Sequence, residues 1–175
     1  MFDCQVNLIT GDRKSGRSTF LLLLSEHLHK SGTKVYFIGA THEFQSETKI
    51  LKDFSGFDFF SSSDSNNFLI VDKIQELLTR QNFTILVDDV DYLSDKLIKK
   101  IIQLPTKKIL TCLSSKKDTF EIDFQLYEMI NYFDNKVMKT IQTLSNNGNT
   151  YLVDDIFRSF NRNEKINTIL DDKGG

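Results

Sequence analysis

The sequence predicts an α/β fold in which a mostly parallel central sheet is flanked by helices and ends in an antiparallel hairpin. Short apolar runs of strand length alternate along the chain with longer segments of helical periodicity. A glycine-bounded loop lies between the first apolar run and the first helical segment. Near the end of the chain, Asn147-Gly148 separates two strand-like segments, and Asn-Gly is a strong signal for a hairpin.

The N-terminal part of the chain predicts a βαβ unit around that loop. Residues 5–10 are predicted as an apolar strand, and the helix predicted over 18–30 has apolar residues on more than one face, as a helix buried against a sheet does. Gly32 is expected to end this helix, because glycine adopts the left-handed C-terminal conformation without strain. The apolar run 34–39 is typical of a buried parallel strand.

The middle of the chain predicts two more strands and two more helices. Residues 40–53 are polar with spaced apolar positions and are expected to form a helix, and 57–60 are expected to form a short strand. The run 61–67, rich in serine and asparagine, is interpreted as a solvated loop. An amphipathic helix is predicted over 68–80, and the apolar strand predicted over 84–89 ends in two aspartates.

The following segment predicts a further helix and another core strand. Ser94 is expected to cap a helix that runs to Leu104 and is stopped by Pro105. Residues 107–113 have the apolar composition of a core strand, and a loop is expected to leave it.

The C-terminal part has a different pattern. A helix is expected within 124–133, and the segments 136–141 and 150–153 are predicted as the two strands of the hairpin. We expect one domain over residues 1–160, followed by a polar, flexible tail over 161–175.

Composition and charge limit the class of protein. The 175-residue chain fits one domain and contains no apolar stretch long enough to cross a membrane, so no membrane partner is expected. The formal net charge of −2 gives no general attraction to nucleic acid, so any DNA contact must be local. Cys4 and Cys112 lack the C-x-x-C spacing of a zinc site and indicate a reducing compartment.

The loop before the first helix has the pattern of a phosphate-binding loop: two glycines separated by four residues, then a cation and a hydroxyl. Glycines allow successive N–H groups to point inward, and the helix N-terminus presents unpaired donors to an anion. A glycine turn without a ligand is the alternative interpretation. We expect the β- or γ-phosphate of a nucleotide to lie against Gly11, Asp12, Arg13, Lys14, Ser15, Gly16, Arg17, Ser18 and Thr19.

Arg17 stands where this pattern has a lysine. Arginine keeps the positive charge, but its planar fork is larger than an ammonium and does not act as a compact point charge. We therefore expect nucleotide binding to survive the change more readily than hydrolysis. Lys14 supplies part of the missing charge in one interpretation and is a solvated loop lysine in the other.

Asp88 is the candidate magnesium ligand. In nucleotide-hydrolysing folds, the carboxylate that ends such a strand lies beside the phosphate-binding loop and holds Mg²⁺ directly or through water. Ser18 is expected to supply a hydroxyl at another coordination position. An apolar run that ends in aspartate is common by itself, and its position after a phosphate-binding loop is what favours the magnesium role.

Together these features resemble the RecA-type ATPase core, which recombinases, their paralogues and hexameric replicative helicases share. The resemblance covers roughly residues 6–156, and its specific motifs are the loop and the strand that ends at Asp88. The chain looks most like the small eukaryotic recombinase paralogues that help the recombinase filament to form. This resemblance implies ATP and Mg²⁺ as ligands, another RecA-like paralogue or the recombinase as partner, and a nuclear location.

Three parts of that family's catalytic pattern are altered or displaced. The loop lysine is Arg17, and Glu43 lies a residue or two later than the family's water-activating glutamate. A surface position at a helix start is the alternative interpretation of Glu43. The family's polar sensor, usually glutamine, would fall within residues 112–114, where no glutamine occurs. The resemblance therefore implies weak or absent hydrolysis.

The resemblance also implies DNA contacts in the loop after the core strand 107–113. That loop contains Lys116, Lys117 and Phe120, and lysines can contact phosphates while an aromatic ring can stack on a base. Two acidic residues follow them, and a solvated loop is the alternative interpretation. Weak direct binding of single-stranded DNA is the most that we expect.

Two other functions remain as alternatives. A small viral or phage RecA-like or DnaB-like ATPase or helicase core would share these motifs, hydrolyse ATP despite Arg17 and have a cytoplasmic location. A thymidine-kinase-type nucleoside kinase also begins with a glycine-bounded loop. That type usually carries a cysteine-ligated zinc lobe, which two separated cysteines cannot build.

Overall fold

The computed structural model describes residues 2, 4–39, 56–115, 124–134 and 139–159 of the chain. The strands are β1 (Val6–Gly11), β2 (Val35–Gly39), β3 (Gly56–Phe59), β4 (Thr84–Val87), β5 (Lys108–Leu113), β6 (Gln125–Asp134), β7 (Lys139–Asn146) and β8 (Asn149–Leu152). The helices are α1 (Arg17–Lys30), α2 (Asp64–Leu78), α3 (Asp95–Gln103) and α4 (residues 153–159), with a short 3-10 helix at Val90–Tyr92.

The strands form one eight-stranded sheet in the order β3-β2-β4-β5-β1-β6-β7-β8. All neighbours from β3 to β6 in this order run parallel, whereas β6, β7 and β8 pair antiparallel. The predicted α/β class, the mostly parallel sheet and its antiparallel end are confirmed. Because β1 lies between β5 and β6, the loop that follows β1 emerges in the middle of the sheet's carboxyl edge.

Helices cover both faces of the sheet, as the sequence predicts. Successive residues of β1 point to opposite faces, and Leu8 and Ile9 therefore belong to two separate apolar clusters. Ile9 packs in the cluster that contains Phe20 and Leu21 of α1. Leu8 packs in the cluster that contains buried residues of α2 and α3. The resulting three layers fix α1 and its preceding loop firmly to the central strands.

The helix predicted within 124–133 is wrong, because this segment is strand β6. Tyr127 and Met129 are buried while Glu128 and Ile130 are exposed, which is the two-residue alternation of a strand. Its first half, residues 125–129, also pairs in parallel with β1. Pairing with the central strand therefore decides the conformation of a sequence whose apolar residues fit either pattern.

The loop predicted over 61–67 is also wrong in its second half, because α2 begins at Asp64. Asn67 explains this early start. Its side-chain oxygen accepts from the Ser61 N–H at 2.8 Å, and its amide nitrogen donates to the Ser61 carbonyl at 3.0 Å. Asn67 is buried, and these bonds tie the first turn of the helix to the end of the preceding strand.

The closing hairpin has the predicted turn. Asn147 and Gly148 have φ angles of 48° and 80°, which is the left-handed geometry of a two-residue hairpin turn.

Ser94 precedes α3, as expected, but its side chain makes no capping bond within the described part of the chain. The helix predicted over 40–53 and the tail over 161–175 lie outside the described residues. None of the described helices is long and apolar enough to cross a membrane.

Candidate functional site

A cavity of about 520 Å³ lies at the carboxyl edge of the sheet, between the loop after β1 and the ends of β4 and β5. The loop residues from Asp12 to Thr19 form one wall. Asp89, Asp91, Tyr92 and Leu113 form the other. The volume falls in the range of cavities that bind small molecules and cofactors. All of the loop residues singled out from the sequence except Gly11 therefore line one cavity.

Both glycines of the loop are required by its packing. A Cβ atom on Gly11 would lie 2.6 Å from the Ser15 Oγ and 2.7 Å from the Met129 carbonyl oxygen. Gly16 has a φ of 91°, and a Cβ atom there would collide with the side-chain amide of Gln142. The close approach of β6 and β7 to the loop thus explains the spacing of the two glycines.

Arg17 lies inside the loop rather than in solvent, with 7% of its surface exposed. Its Nη1 donates to the Gly11 carbonyl and to the Asp12 carbonyl, the latter at 2.9 Å. Its Nη2 forms an ion pair with Asp89 Oδ1 at 3.1 Å. One guanidinium therefore joins the start of the loop to the residue that follows the magnesium candidate, and places a positive charge at the floor of the cavity.

Lys14 differs from Arg17 because it lies on the exposed side of the loop. Its φ of 63° is left-handed, which is uncommon for a residue with a Cβ atom. Lys14 also lines the cavity.

Asp88 and Ser18 are brought together at the end of β4. Asp88 is 1% exposed, its carboxyl accepts a hydrogen bond from the Thr111 hydroxyl at 2.7 Å, and the Ser18 hydroxyl lies close enough to lower its pKa. Burial, followed by the charge of Asp89, raises the pKa of Asp88 to about 6. A hydroxyl and a carboxylate side by side are the hard oxygen ligands that Mg²⁺ takes together with phosphate oxygens, so these two residues fit the ion.

The cavity is lined by Asp89, the second member of the aspartate pair seen in the sequence, and by one further carboxylate, Asp91. Asp89 adopts a left-handed conformation (φ 48°), and its N–H donates to the Thr111 hydroxyl at 2.7 Å. Asp91 Oδ2 accepts from the Leu113 N–H at 2.8 Å, while its Oδ1 is buried and has no hydrogen-bond partner among the described residues. Burial raises the pKa of Asp91. The spacing Asp-Asp-x-Asp after a strand is the signal that identifies Asp91.

The sequence patterns did not identify Thr111 or two amide side chains on β6 and β7. Thr111 bridges the Asp88 carboxyl and the Asp89 N–H from the neighbouring strand β5. Asn131 Nδ2 donates to the Lys14 carbonyl at 3.0 Å, and Gln142 Nε2 donates to the Ser15 carbonyl at 3.2 Å. Contacts between residues far apart in the sequence leave no local sequence pattern. Because the segment of β6 was predicted as a helix, Asn131 was not expected to contact the loop.

The remaining predicted site residues, Glu43, Lys116, Lys117 and Phe120, are outside the described residues. At the position of the family's polar sensor, Cys112 is fully buried, and burial raises the pKa of its thiol to about 12. The neighbouring Leu113 lines the cavity with an apolar side chain.

No protein-family model matches the chain, and no curated protein matches it significantly.

Proposed function

We propose that the chain binds a nucleoside triphosphate, ATP, together with Mg²⁺ in the cavity at the loop. The observation that carries this proposal is that the glycine loop, Arg17 and Ser18 line one cavity, with the buried Asp88 carboxyl next to Ser18. The N-terminus of α1 opens on the same cavity and favours an anion there. Ser15 supports the assignment, because its buried Oγ has no partner in the described structure.

The residues divide the binding between them. Ser18 and Asp88 would hold the magnesium ion, which neutralises phosphate charge when it is bound. Arg17 would hold the start of the loop through the Gly11 and Asp12 carbonyls and present its positive charge to the phosphates from below. Hydrolysis is expected to be weak, because Leu113 offers no polar group at the sensor position and an arginine replaces the loop lysine.

We further propose that the chain acts as a recombinase-paralogue-like subunit of the RecA type. It would pair with another RecA-like protein and assist assembly of the recombinase filament on single-stranded DNA, in homologous recombination and repair in the nucleus. The resemblance of the loop, the Asp88 strand and the order of elements supports this role. The net charge of −2 favours action through a partner rather than through strong DNA binding of its own.

A second candidate function is a small ATPase or helicase core of the viral or phage type. The carboxylates of Asp89 and Asp91 favour it, because both residues line the cavity. Carboxylates in this position can orient an attacking water molecule. In this alternative Asp91, whose Oδ1 has no partner among the described residues, would replace the displaced glutamate.

Calorimetric titration with ATP in the presence and absence of Mg²⁺ tests the binding proposal. The wild type should bind ATP only weakly without Mg²⁺. Arg17→Ala should weaken binding by at least about tenfold, because a buried charged donor contributes roughly 1.5–3 kcal/mol. Arg80→Ala, at an exposed arginine just beyond the C-terminal end of α2, is the matched control and should bind like the wild type. Equal magnesium-dependent binding by all three proteins would overturn the site.

Affinity purification of the tagged chain from its own cells, followed by mass spectrometry, distinguishes the two functions. A stoichiometric RecA-like partner recovered together with the recombinase supports the accessory role. Recovery of the chain without a RecA-like partner, with ATP turnover stimulated by single-stranded DNA, would replace that role with the enzyme.

A further inference from the structure

We propose that Asn131 and Gln142 are positioning residues that set the orientation of the loop's peptide groups toward phosphate. This inference rests on the proposed nucleotide binding and adds to it two residues on the antiparallel strands β6 and β7. They lie directly opposite each other on β6 and β7. Side chains of directly opposite residues project from the same face of a sheet. The two amides therefore reach the loop together, as one pair.

The pair holds two consecutive carbonyl groups of the loop. Asn131 donates to the Lys14 carbonyl at 3.0 Å, and Gln142 donates to the Ser15 carbonyl at 3.2 Å. Gln142 is absent from the residues that line the cavity, whereas Ser15 and Gly16 line it. The Ser15 carbonyl is therefore drawn to the side of the loop that faces away from the cavity.

The orientation of this carbonyl decides where the next N–H points. In a trans peptide the C=O and the following N–H point in opposite directions, and the described chain contains no cis peptide. The bond from Gln142 to the Ser15 carbonyl thus turns the Gly16 N–H toward the cavity. Inward N–H groups are what bind phosphate in a loop of this kind.

The bond from Asn131 acts one peptide earlier. It holds the Lys14 carbonyl, and the N–H of the same peptide, from Ser15, donates to the Asp12 carbonyl at 3.1 Å and closes the first turn of the loop. Both bonds are made by the peptide group that follows Lys14, and Lys14 adopts a left-handed conformation. A residue with a Cβ atom reaches that conformation only when its surroundings hold it there.

Gly16 and Gln142 also fit each other sterically. The Gln142 amide occupies the space in which any side chain on residue 16 would begin. The absence of a side chain on Gly16 is thus what admits the amide to the loop.

Gln142→Met tests the inference, since methionine has nearly the same length and no donor. The matched control is Gln125→Met, at the opposite end of β6 from Asn131, where the amide donates to Asn146 Oδ1 instead of the loop. Calorimetry measures the affinity of each protein for Mg·ATP and for magnesium tripolyphosphate. Two-dimensional NMR follows the Gly16 amide proton, and thermal unfolding checks that each variant is folded.

We expect Gln142→Met to lower the affinity for both ligands by about threefold to tenfold, the contribution of one hydrogen bond. The Gly16 amide proton should shift downfield on ligand binding in the wild type and in Gln125→Met, and less in Gln142→Met. If Gln142→Met does not fold, Asn131→Ala is measured instead, with a loss of affinity in the same range expected for that change.

The possible failures are distinguishable. If the wild type binds neither ATP nor tripolyphosphate, the nucleotide proposal fails and this inference fails with it. If the wild type binds both, and folded Gln142→Met (or Asn131→Ala in its place) binds them equally well with the same Gly16 shift, the nucleotide proposal stands and the positioning role is overturned.

Discussion

Replacing Asp88 with asparagine should stabilise the ligand-free protein while removing magnesium-dependent nucleotide binding. The carboxyl is buried, and burial together with the charge of Asp89 raises its pKa from 3.8 to about 6. Ionising it in the folded state at neutral pH thus costs up to about 3 kcal/mol, since one pKa unit corresponds to about 1.4 kcal/mol. Asparagine removes the charge, and its side-chain oxygen can still accept from the Thr111 hydroxyl. We expect a gain of about 1–3 kcal/mol in the free energy of unfolding at pH 7.5.

The raised pKa of Asp88 also predicts how the stability of the protein changes with pH. Because the pKa of Asp88 is higher in the folded than in the unfolded chain, the folded state binds more protons between pH 3.8 and about 6. The free energy of unfolding of the wild type therefore falls as pH rises through this window. The gain in the free energy of unfolding of Asp88→Asn over the wild type should be small near pH 4 and should reach its full value above pH 6.

Urea denaturation at both ends of that window, without magnesium, measures the effect. Asp95→Asn, at an exposed aspartate in the first turn of α3, is the control and should show no such gain. Titration with ATP should show that Asp88→Asn binds equally with and without Mg²⁺. A variant that is less stable than the wild type at pH 7.5, or equally stabilised at pH 4, would refute the desolvation argument.

Two further predictions concern the scaffold. Lys108 is fully buried, and burial lowers the pKa of its amine to about 8, so Lys108→Met should raise the free energy of unfolding at pH 7 by about 1–3 kcal/mol. In the unfolded chain the amine loses its proton only near pH 10.5, so the wild type gains stability as pH rises above 8. The difference in the free energy of unfolding between Lys108→Met and the wild type, measured by urea denaturation, should therefore shrink by pH 10. Gly148→Val should lower the free energy of unfolding by about 1–2 kcal/mol, because Gly148 has a φ of 80° and valine is strained in that conformation. No described atom lies within 4 Å of the added Cβ, so Gly148→Asn should cost less; equal denaturation midpoints for the Val and Asn variants would contradict the conformational explanation.

Local patterns predicted the parts of the fold that carry their own signals. The glycine loop, the apolar strand before Asp88 and the Asn147-Gly148 turn each consist of neighbouring residues whose geometry is fixed by their own chemistry. The prediction failed at β6, where the apolar residues suit a helix or a strand and pairing with β1 decides. It failed also before α2, because the bonds between Ser61 and Asn67 depend on burial of a polar side chain.

The candidate site divides in the same way. Arg17, Ser18 and Asp88 stand in recognisable motifs, and the structure places all three at one edge of the sheet. Thr111 and Gln142 have no motif, since each acts on a group in a different strand or loop. The contact between Gln142 and Ser15 joins residues 127 positions apart, and only the strand order brings them together.

The position of β1 in the sheet has a consequence for biosynthesis. Among the described strands it is synthesised before the others, whereas its partners β5 and β6 begin at Lys108 and Gln125. While the ribosome adds those residues, the nascent chain carries an unpaired strand in which all six residues are buried once the protein has folded. Pairings at such sequence separation form slowly, and unpaired apolar strands aggregate. The cavity is therefore assembled only after Leu113, which lines it, has been translated, and chaperones that shield β1 should raise the yield of folded protein.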